Sequence, residues 1–173
     1  MHRGGEREVV ELLTRRLRIV LQTREEVERL IAAMPESDRA HVSPDWLARM
    51  RAAREGDPWQ FAFRVSLRAT GAGVGTCSFK GPPVDGMVEI SYATDPAFEG
   101  RGYATEAAQA LVDFAASQDE VRVVRAHTLP GGAASQRILA KCGFRYQGDV
   151  VDPEDGTISR FDRVLRPGSS ASG

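Results

Sequence analysis

The sequence predicts a mixed α/β domain: one twisted, mostly antiparallel sheet of about seven strands with about four helices around it. Three observations carry that prediction. Alternating apolar runs follow one another between residues 59 and 94, joined by glycine- and proline-rich turns, as in an antiparallel meander. Helical periodicity lies on both sides of this meander. A chain of 173 residues, 42% hydrophobic and 27% charged, has the size and composition of one folded unit.

Residues 1–14 are polar and charged with weak periodicity, and 166–173 (Arg-Pro-Gly-Ser-Ser-Ala-Ser-Gly) have linker composition. Flexible ends are expected there, leaving 15–165 as the single domain.

Within it, Arg18 to Leu21 reads as the first strand. Thr23 with Glu26 three residues on forms a capping box, since each side chain reaches an amide the helix leaves unpaired. A helix follows, with Val27, Leu30, Ile31 and Met34 on its inner face. Ser43-Pro44 supplies an N-cap and a first-turn proline for a second helix, which buries Trp46, Leu47 and Met50. The meander comes next: Trp59 to Val65, Val74 to Phe79 and Met87 to Thr94, with Gly71, Gly73, Gly81-Pro82-Pro83 and Asp85-Gly86 as turn signals. After Pro96, Ala104, Ala107, Ala108, Leu111, Phe114 and Ala115 recur at helical spacing to about Ser117. Arg122 to Thr128 is a strand, Ser135 to Cys142 a helix stopped by Gly143, and Phe144 to Val150 another strand. A turn at Asp152 to Gly156 leads into a last strand, Thr157 to Leu165. The order is β-α-α-β-β-β-α-β-α-β-β.

Charge and motif content narrow the partners. The net charge of −1, from 23 basic and 24 acidic residues, gives no bulk attraction to nucleic acid or an anionic membrane. Lys80 and Lys141 are the only lysines and neither follows a glycine, which excludes a G-x-x-x-x-G-K-[ST] phosphate loop. Cys77 and Cys142 provide no disulfide framework, and with His2, His41 and His127 they show no metal-ligand spacing, so no metal is expected. The charged N-terminal residues contain no apolar leader, and no run approaches the ~20 apolar residues of a membrane span. A cytoplasmic location is therefore expected.

Asp95 to Glu106 (Asp-Pro-Ala-Phe-Glu-Gly-Arg-Gly-Tyr-Ala-Thr-Glu) joins a strand to an amphipathic helix. Gly100 and Gly102 let backbone amides approach a bulky ligand, and the helix start adds unpaired N–H groups and the positive end of its dipole. This suits a pyrophosphate. Alternatives are a plain tight turn, or a dinucleotide-binding G-x-G-x-x-G loop, which would need Gly or Ala where the chain has Thr105.

At this point the sequence resembles the GNAT superfamily of acetyl-CoA-dependent N-acetyltransferases, nearest to its ribosomal-protein N-terminal acetyltransferase branch. Glu99-Gly100-Arg101-Gly102-Tyr103-Ala104 matches the family's [Gln/Arg]-x-x-Gly-x-[Gly/Ala] motif except at the first position. Glu89 to Pro96 resembles its fourth strand, and Ser135 to Phe144 its second motif, which ends in Lys-x-Gly-Phe. The resemblance covers roughly residues 15 to 165. It implies a GNAT-type sheet whose fourth and fifth strands splay apart. It also implies acetyl transfer from acetyl-CoA to a primary amine, on a small molecule or a protein N-terminus, by direct attack in a ternary complex. Carried over residue by residue, Glu99, Gly100, Arg101, Gly102, Tyr103 and Ala104 would hold the pyrophosphate. The backbones of Tyr92, Ala93 and Thr94 would pair with pantetheine.

Ser135 would contact the cofactor and return a proton to the leaving thiolate, and Glu89 is the candidate base, the bland alternative being a strand carboxylate facing solvent or an arginine. Departures are Glu99 for Gln or Arg, Gly132 for a usual Asn, and Leu139 where many members carry the tyrosine that serves as acid. They motivate an alternative: a CoA-binding sensor or interaction module without catalysis. His127 is read as a satisfied sheet histidine and Cys142 as an apolar filler. The resemblance implies that acceptor specificity lives in the early helices and the last hairpin, here about residues 23 to 56 and 150 to 165, with His41 to Phe63 a candidate lining of the acceptor cleft, in a monomer or homodimer.

Overall fold

The protein is described from a computed structural model over residues 10–166. It opens with β1 (Glu11–Leu13) and β2 (Leu17–Leu21), an antiparallel pair in which Leu12 faces Ile19. Three residues are too few to show a period, so β1 falls in the stretch expected to be flexible; the ordered sheet begins before residue 15. The remaining residues at both expected flexible ends, 1–9 and 167–173, lie outside the described residues.

Helix α1 (Arg24–Ala33) starts at the expected capping box: Glu26 N donates to Thr23 Oγ1 at 3.1 Å and Thr23 N to Glu26 Oε2 at 3.3 Å. Val27 and Ile31 are buried, whereas Leu30 is 50% exposed and does not join the inner face. One unanticipated turn, α2 (Glu36–Arg39), precedes α3 (Pro44–Ala52), whose cap is Ser43 and whose Met50 is buried. Trp59 to Phe61 are not strand. They fold over Asp57, whose carbonyl accepts from the amides of Gln60 and Phe61 at 3.2 Å while its carboxylate accepts from Trp59 N at 2.9 Å.

The meander follows as β3 (Phe63–Leu67), β4 (Gly73–Phe79) and β5 (Met87–Thr94). Asp85 and Gly86 take φ of 51° and 79°, the left-handed pair a two-residue hairpin turn needs, and Val84 and Met87 close it with reciprocal backbone bonds. The chain continues through α4 (Tyr103–Ala116), β6 (Val123–Thr128), α5 (Ala133–Lys141), β7 (Arg145–Asp152) and β8 (Gly156–Val164). All eight strands form one sheet in the order β1-β2-β3-β4-β5-β6-β8-β7, parallel between β5 and β6 and antiparallel elsewhere.

One sheet face is the core. Val88, Ile90, Val124, Ala126 and Phe161 pack there against α4 and α5, with Leu111 and Leu139 fully buried. The inner face of α4 is rich in alanine (Ala107, Ala108, Ala115), which lets the helix lie close across β4 and β5. Trp59, Phe79 and Phe114 meet with ring centroids 4.8–5.7 Å apart, fixing the 57–61 turn to this layer. Because side chains alternate, the opposite face of β5, β6 and β8 carries Glu89, Arg125, His127, Arg160 and Asp162.

Candidate active site

Strands β5 and β6 pair only at Met87↔Val123, Val88↔Val124 and Glu89↔Arg125. Beyond that point β5 runs on to Thr94 without β6, while β6 stays paired with β8 to Thr128. The expected splay is thus present. Backbone groups alternate between the two edges of a strand. The Glu89 carbonyl accepts from Lys80 N and Asp95 N donates to the Val74 carbonyl, so the odd-numbered residues of β5 face β4. Tyr92 and Thr94 therefore offer their N–H and C=O to the gap; Ala93, named with them from sequence, turns its backbone to β4.

At the end of β5, Pro96–Phe98 forms a short 3₁₀ turn leading to Gly100 and Gly102, with φ of 75° and 82°. These left-handed values turn the chain back into α4, which starts at Gly102 with no side-chain cap. The first-turn amides of Tyr103, Ala104 and Thr105 are left without helical partners. The side chain of Glu99 is exposed, and Arg101 lies with its guanidinium 5.8 Å from the Phe98 ring.

The loop is braced from behind by residues absent from the sequence-based site. Arg16 Nη1 donates to the Arg101 carbonyl at 2.9 Å, and its guanidinium stacks 4.6 Å above the Tyr103 ring. Glu106 in α4 accepts from Thr14 Oγ1 at 2.6 Å, Arg16 N at 2.7 Å and Arg16 Nε at 2.8 Å. Burial pushes the Glu106 carboxyl up, but the Thr14 hydroxyl and the Arg16 amide and guanidinium outweigh it, holding the group below its ordinary value. The one sequence signal was the polar Thr14-Arg15-Arg16 turn, in a segment without periodicity.

Ser135 lies in the first turn of α5, where its Oγ is 2.9 Å from the Tyr92 hydroxyl. Burial raises the Tyr92 phenol above its ordinary range despite the opposing hydrogen bond from Ser135. Leu139, where the sequence resemblance would place a tyrosine, is fully buried. A phenol therefore reaches this region from β5, a side-chain role sequence reasoning missed. Gly132 caps α5, and a Cβ there would sit 3.0 Å from the Leu129 carbonyl, so the turn is drawn too tight for an easily placed side chain.

On the opposite face, Glu89 Oε1 lies 2.6 Å from His127 Nδ1 and 3.5 Å from Lys80 Nζ. Arg160 Nε donates to His127 Nε2 at 3.3 Å. That donation requires a lone pair on Nε2, which places the ring proton on Nδ1, donating to Glu89. His127 is thus more than a satisfied sheet residue: it is hydrogen-bonded to the candidate base. Glu89 and Ser135 stand on opposite faces of the sheet, flanking the gap. Burial pushes the Cys77 thiol up to about 12 and raises Cys142 as well, so neither thiol is a ready nucleophile. Among the described residues no group of three or more His, Cys, Asp or Glu side chains could hold a metal ion, and no helix is long and apolar enough to cross a membrane.

Residues 11–145 match the family model of the acetyltransferase (GNAT) domain. YjdG of Bacillus subtilis (strain 168), described as an uncharacterized N-acetyltransferase, is 30% identical over 113 residues, covering 64% of this chain and 66% of that protein. The chain thus spans just under two thirds of that relative's length. Among solved structures, the ribosomal L7/L12 alpha-N-protein acetyltransferase RimL with coenzyme A superposes with a TM-score of 0.66 at 16% identity, covering 91% of this chain and 98% of that one. AAC(6′)-Ib with ribostamycin and coenzyme A gives a TM-score of 0.63 at 18% identity, over 86% and 93% of the two chains.

Proposed function

The chain belongs to the GNAT acetyltransferase family, and on that footing we propose that it transfers the acetyl group of acetyl-CoA to a primary amine by direct attack in a ternary complex. One observation carries this reading: β5 and β6 part after Glu89 and Arg125, leaving the edge of Tyr92 and Thr94 unpaired directly before a glycine turn at a helix N-terminus. The residues present fit acetyl-CoA. An amide-containing pantetheine arm pairs with the free edge as an added strand. The pyrophosphate suits the amides of Gly100 to Ala104, where fixed dipoles substitute for basic side chains. Glu99 is exposed and free to turn away from that charge.

In the reaction the amine lone pair attacks the thioester carbonyl, a C–N bond forms and the C–S bond breaks. Glu89, aligned by His127, receives the amine proton directly or through water; Ser135 returns a proton to the thiolate and is resupplied by the Tyr92 phenol, which regains its proton from solvent as Glu89 gives up the one it took. A Tyr92 backbone amide facing the gap stabilises the oxyanion. The acceptor is a small-molecule amine or a protein N-terminal α-amine, both of which occur among the fold's neighbours.

A thiol-release assay over an amine panel, with the acetylated product identified by mass, tests the reading. Release of one CoA per acetylated amine is expected. Tight CoA binding with no turnover on any acceptor would instead favour a sensor module.

A further inference from the structure

The polar sheet face beside the gap carries a chain of directed contacts that ends on an arginine. Glu89 Oε1 takes both the His127 Nδ1 proton, at 2.6 Å, and the Lys80 ammonium, at 3.5 Å, while Oε2 accepts no hydrogen bond among the described residues. Oε2 therefore keeps its lone pairs for the amine proton. The far side of the imidazole is closed by Arg160, whose Nε donates to His127 Nε2 at 3.3 Å. Register places it there: His127 and Arg160 are direct cross-strand partners in β6 and β8, so their side chains share a face.

Two arginines on this face are used differently. Arg125 pairs bidentately with Asp162 at 2.8 and 3.0 Å, and the two charges offset each other. Arg160 forms no ion pair among the described residues, and its side-chain bond goes to an uncharged nitrogen. A guanidinium only donates and does not give up its proton. While it sits on Nε2, that nitrogen must keep its lone pair, and a doubly protonated ring would set two cations in contact. The other charges beside the ring pull both ways: Glu89 in β5, Asp152 in β7 and Asp155 in the turn after it favour a second proton, and Lys80 at the end of β4 opposes it. An imidazolium formed there would pair with Glu89 and make it a poorer base.

Resting on the transferase reading above, we propose that Arg160 is a positioning residue for the reaction. By occupying Nε2 it holds His127 as a neutral, one-proton donor to Glu89 Oε1, so that Oε2 stays an effective base as the pH falls.

The test takes an amine that the panel shows to be acetylated and follows its kcat/KM from about pH 6 to about pH 8.5. The chains compared are the unmodified one, Arg160→Leu, Arg160→Lys, His127→Gln and the double variant Arg160→Leu with His127→Gln. Rates are read as ratios between chains at each pH, which cancels the amine's own protonation. Arg160→Leu should stay within about threefold of the unmodified chain at the alkaline end and fall about tenfold below it at the acid end, because an unguarded ring takes its second proton in the ordinary imidazole range, about 6.5. Arg160→Lys, which keeps a cationic donor, should recover most of that loss, and the double variant should keep a constant ratio to His127→Gln at every pH. The ring itself is read by nitrogen NMR at the acid end. The chain has three histidines, His2, His41 and His127, and His127→Gln identifies the signals of the third. The unmodified ring should keep one lone-pair nitrogen, and Arg160→Leu should show both nitrogens protonated. An imidazolium in the unmodified chain, a lone pair that survives in Arg160→Leu, or a ratio that does not change with pH would overturn the proposal. The expected spectra with no turnover on any amine would sink the transferase reading and leave the ring lock standing. Turnover with a constant ratio would do the reverse.

Discussion

The Tyr92 hydroxyl lies 2.9 Å from Ser135 Oγ, joining the free-edged part of β5 to the first turn of α5. This contact sets a phenol and an alcohol side by side on one wall of the gap. Either oxygen can donate, so in the proposed reaction a proton lost by Ser135 would be replaced by its neighbour. Burial keeps the phenol protonated beyond its ordinary value of 10.0.

Replacing Ser135 by Ala should lower kcat about 100-fold, at the low end of the range for a general acid. Tyr92→Phe should cost less, about tenfold, because Ser135 can still draw on solvent. Steady-state thiol release should show both losses in kcat, with KM for acetyl-CoA moving less than threefold by the same reasoning. An unchanged kcat in Ser135→Ala would remove Ser135 from the mechanism.

Glu106 ties β1, β2 and the glycine turn together through Thr14 and Arg16. Its carboxyl is depressed in the folded state, so its contribution is present above the ordinary carboxylate value of 4.5 and fades as pH falls through the lower folded value. Glu106→Gln should destabilise by about 1–2 kcal/mol at pH 7, with the gap to the unmodified chain closing below the ordinary carboxylate value. Urea unfolding at several pH values measures it; a gap that does not change with pH would contradict the assignment.

A side chain at Gly102 must adopt φ of 82° and brings its Cβ to 3.1 Å from Arg16 Nη2. Gly102→Ala should therefore cost about 1–2 kcal/mol, which for this chain length is a few degrees in Tm. Affinity for acetyl-CoA should fall about tenfold as the amides are displaced. Calorimetric titration and melting together check the pair of effects.

Both thiols are buried, with Cys77 pushed up to about 12 and Cys142 packed against the Thr105 carbonyl at 3.4 Å. Labelling by a chromogenic disulfide reagent at pH 8 should be as slow as unfolding itself. Fast labelling of either residue would show an accessible nucleophile.

Much of the fold was legible because its signals are local. The Thr23–Glu26 box, the Ser43-Pro44 cap and the Asp85-Gly86 turn each specify their own geometry over four residues or fewer. Trp59 to Phe61 misled for the same reason: their alternation matches a strand, but Asp57 captures three successive amides and folds them into a turn. The glycine turn and the unpaired β5 edge could be located from motif order. The brace from Arg16 to Glu106, the Tyr92–Ser135 contact and the Lys80–Glu89–His127–Arg160 chain could not. Each joins residues from separate elements, and a strand's period of two says which face a side chain takes but not which neighbour it meets.

Direct transfer is the central claim, and a single stoichiometric experiment tests it. The protein is mixed with one equivalent of acetyl-CoA, first without and then with an accepted amine, while free thiol and the intact mass of the chain are followed. Direct attack predicts no thiol until the amine is added, then one equivalent of CoA and of acetylated amine, with the chain mass constant throughout. One equivalent of thiol released before the amine, accompanied by an acetyl adduct on the chain, would contradict it.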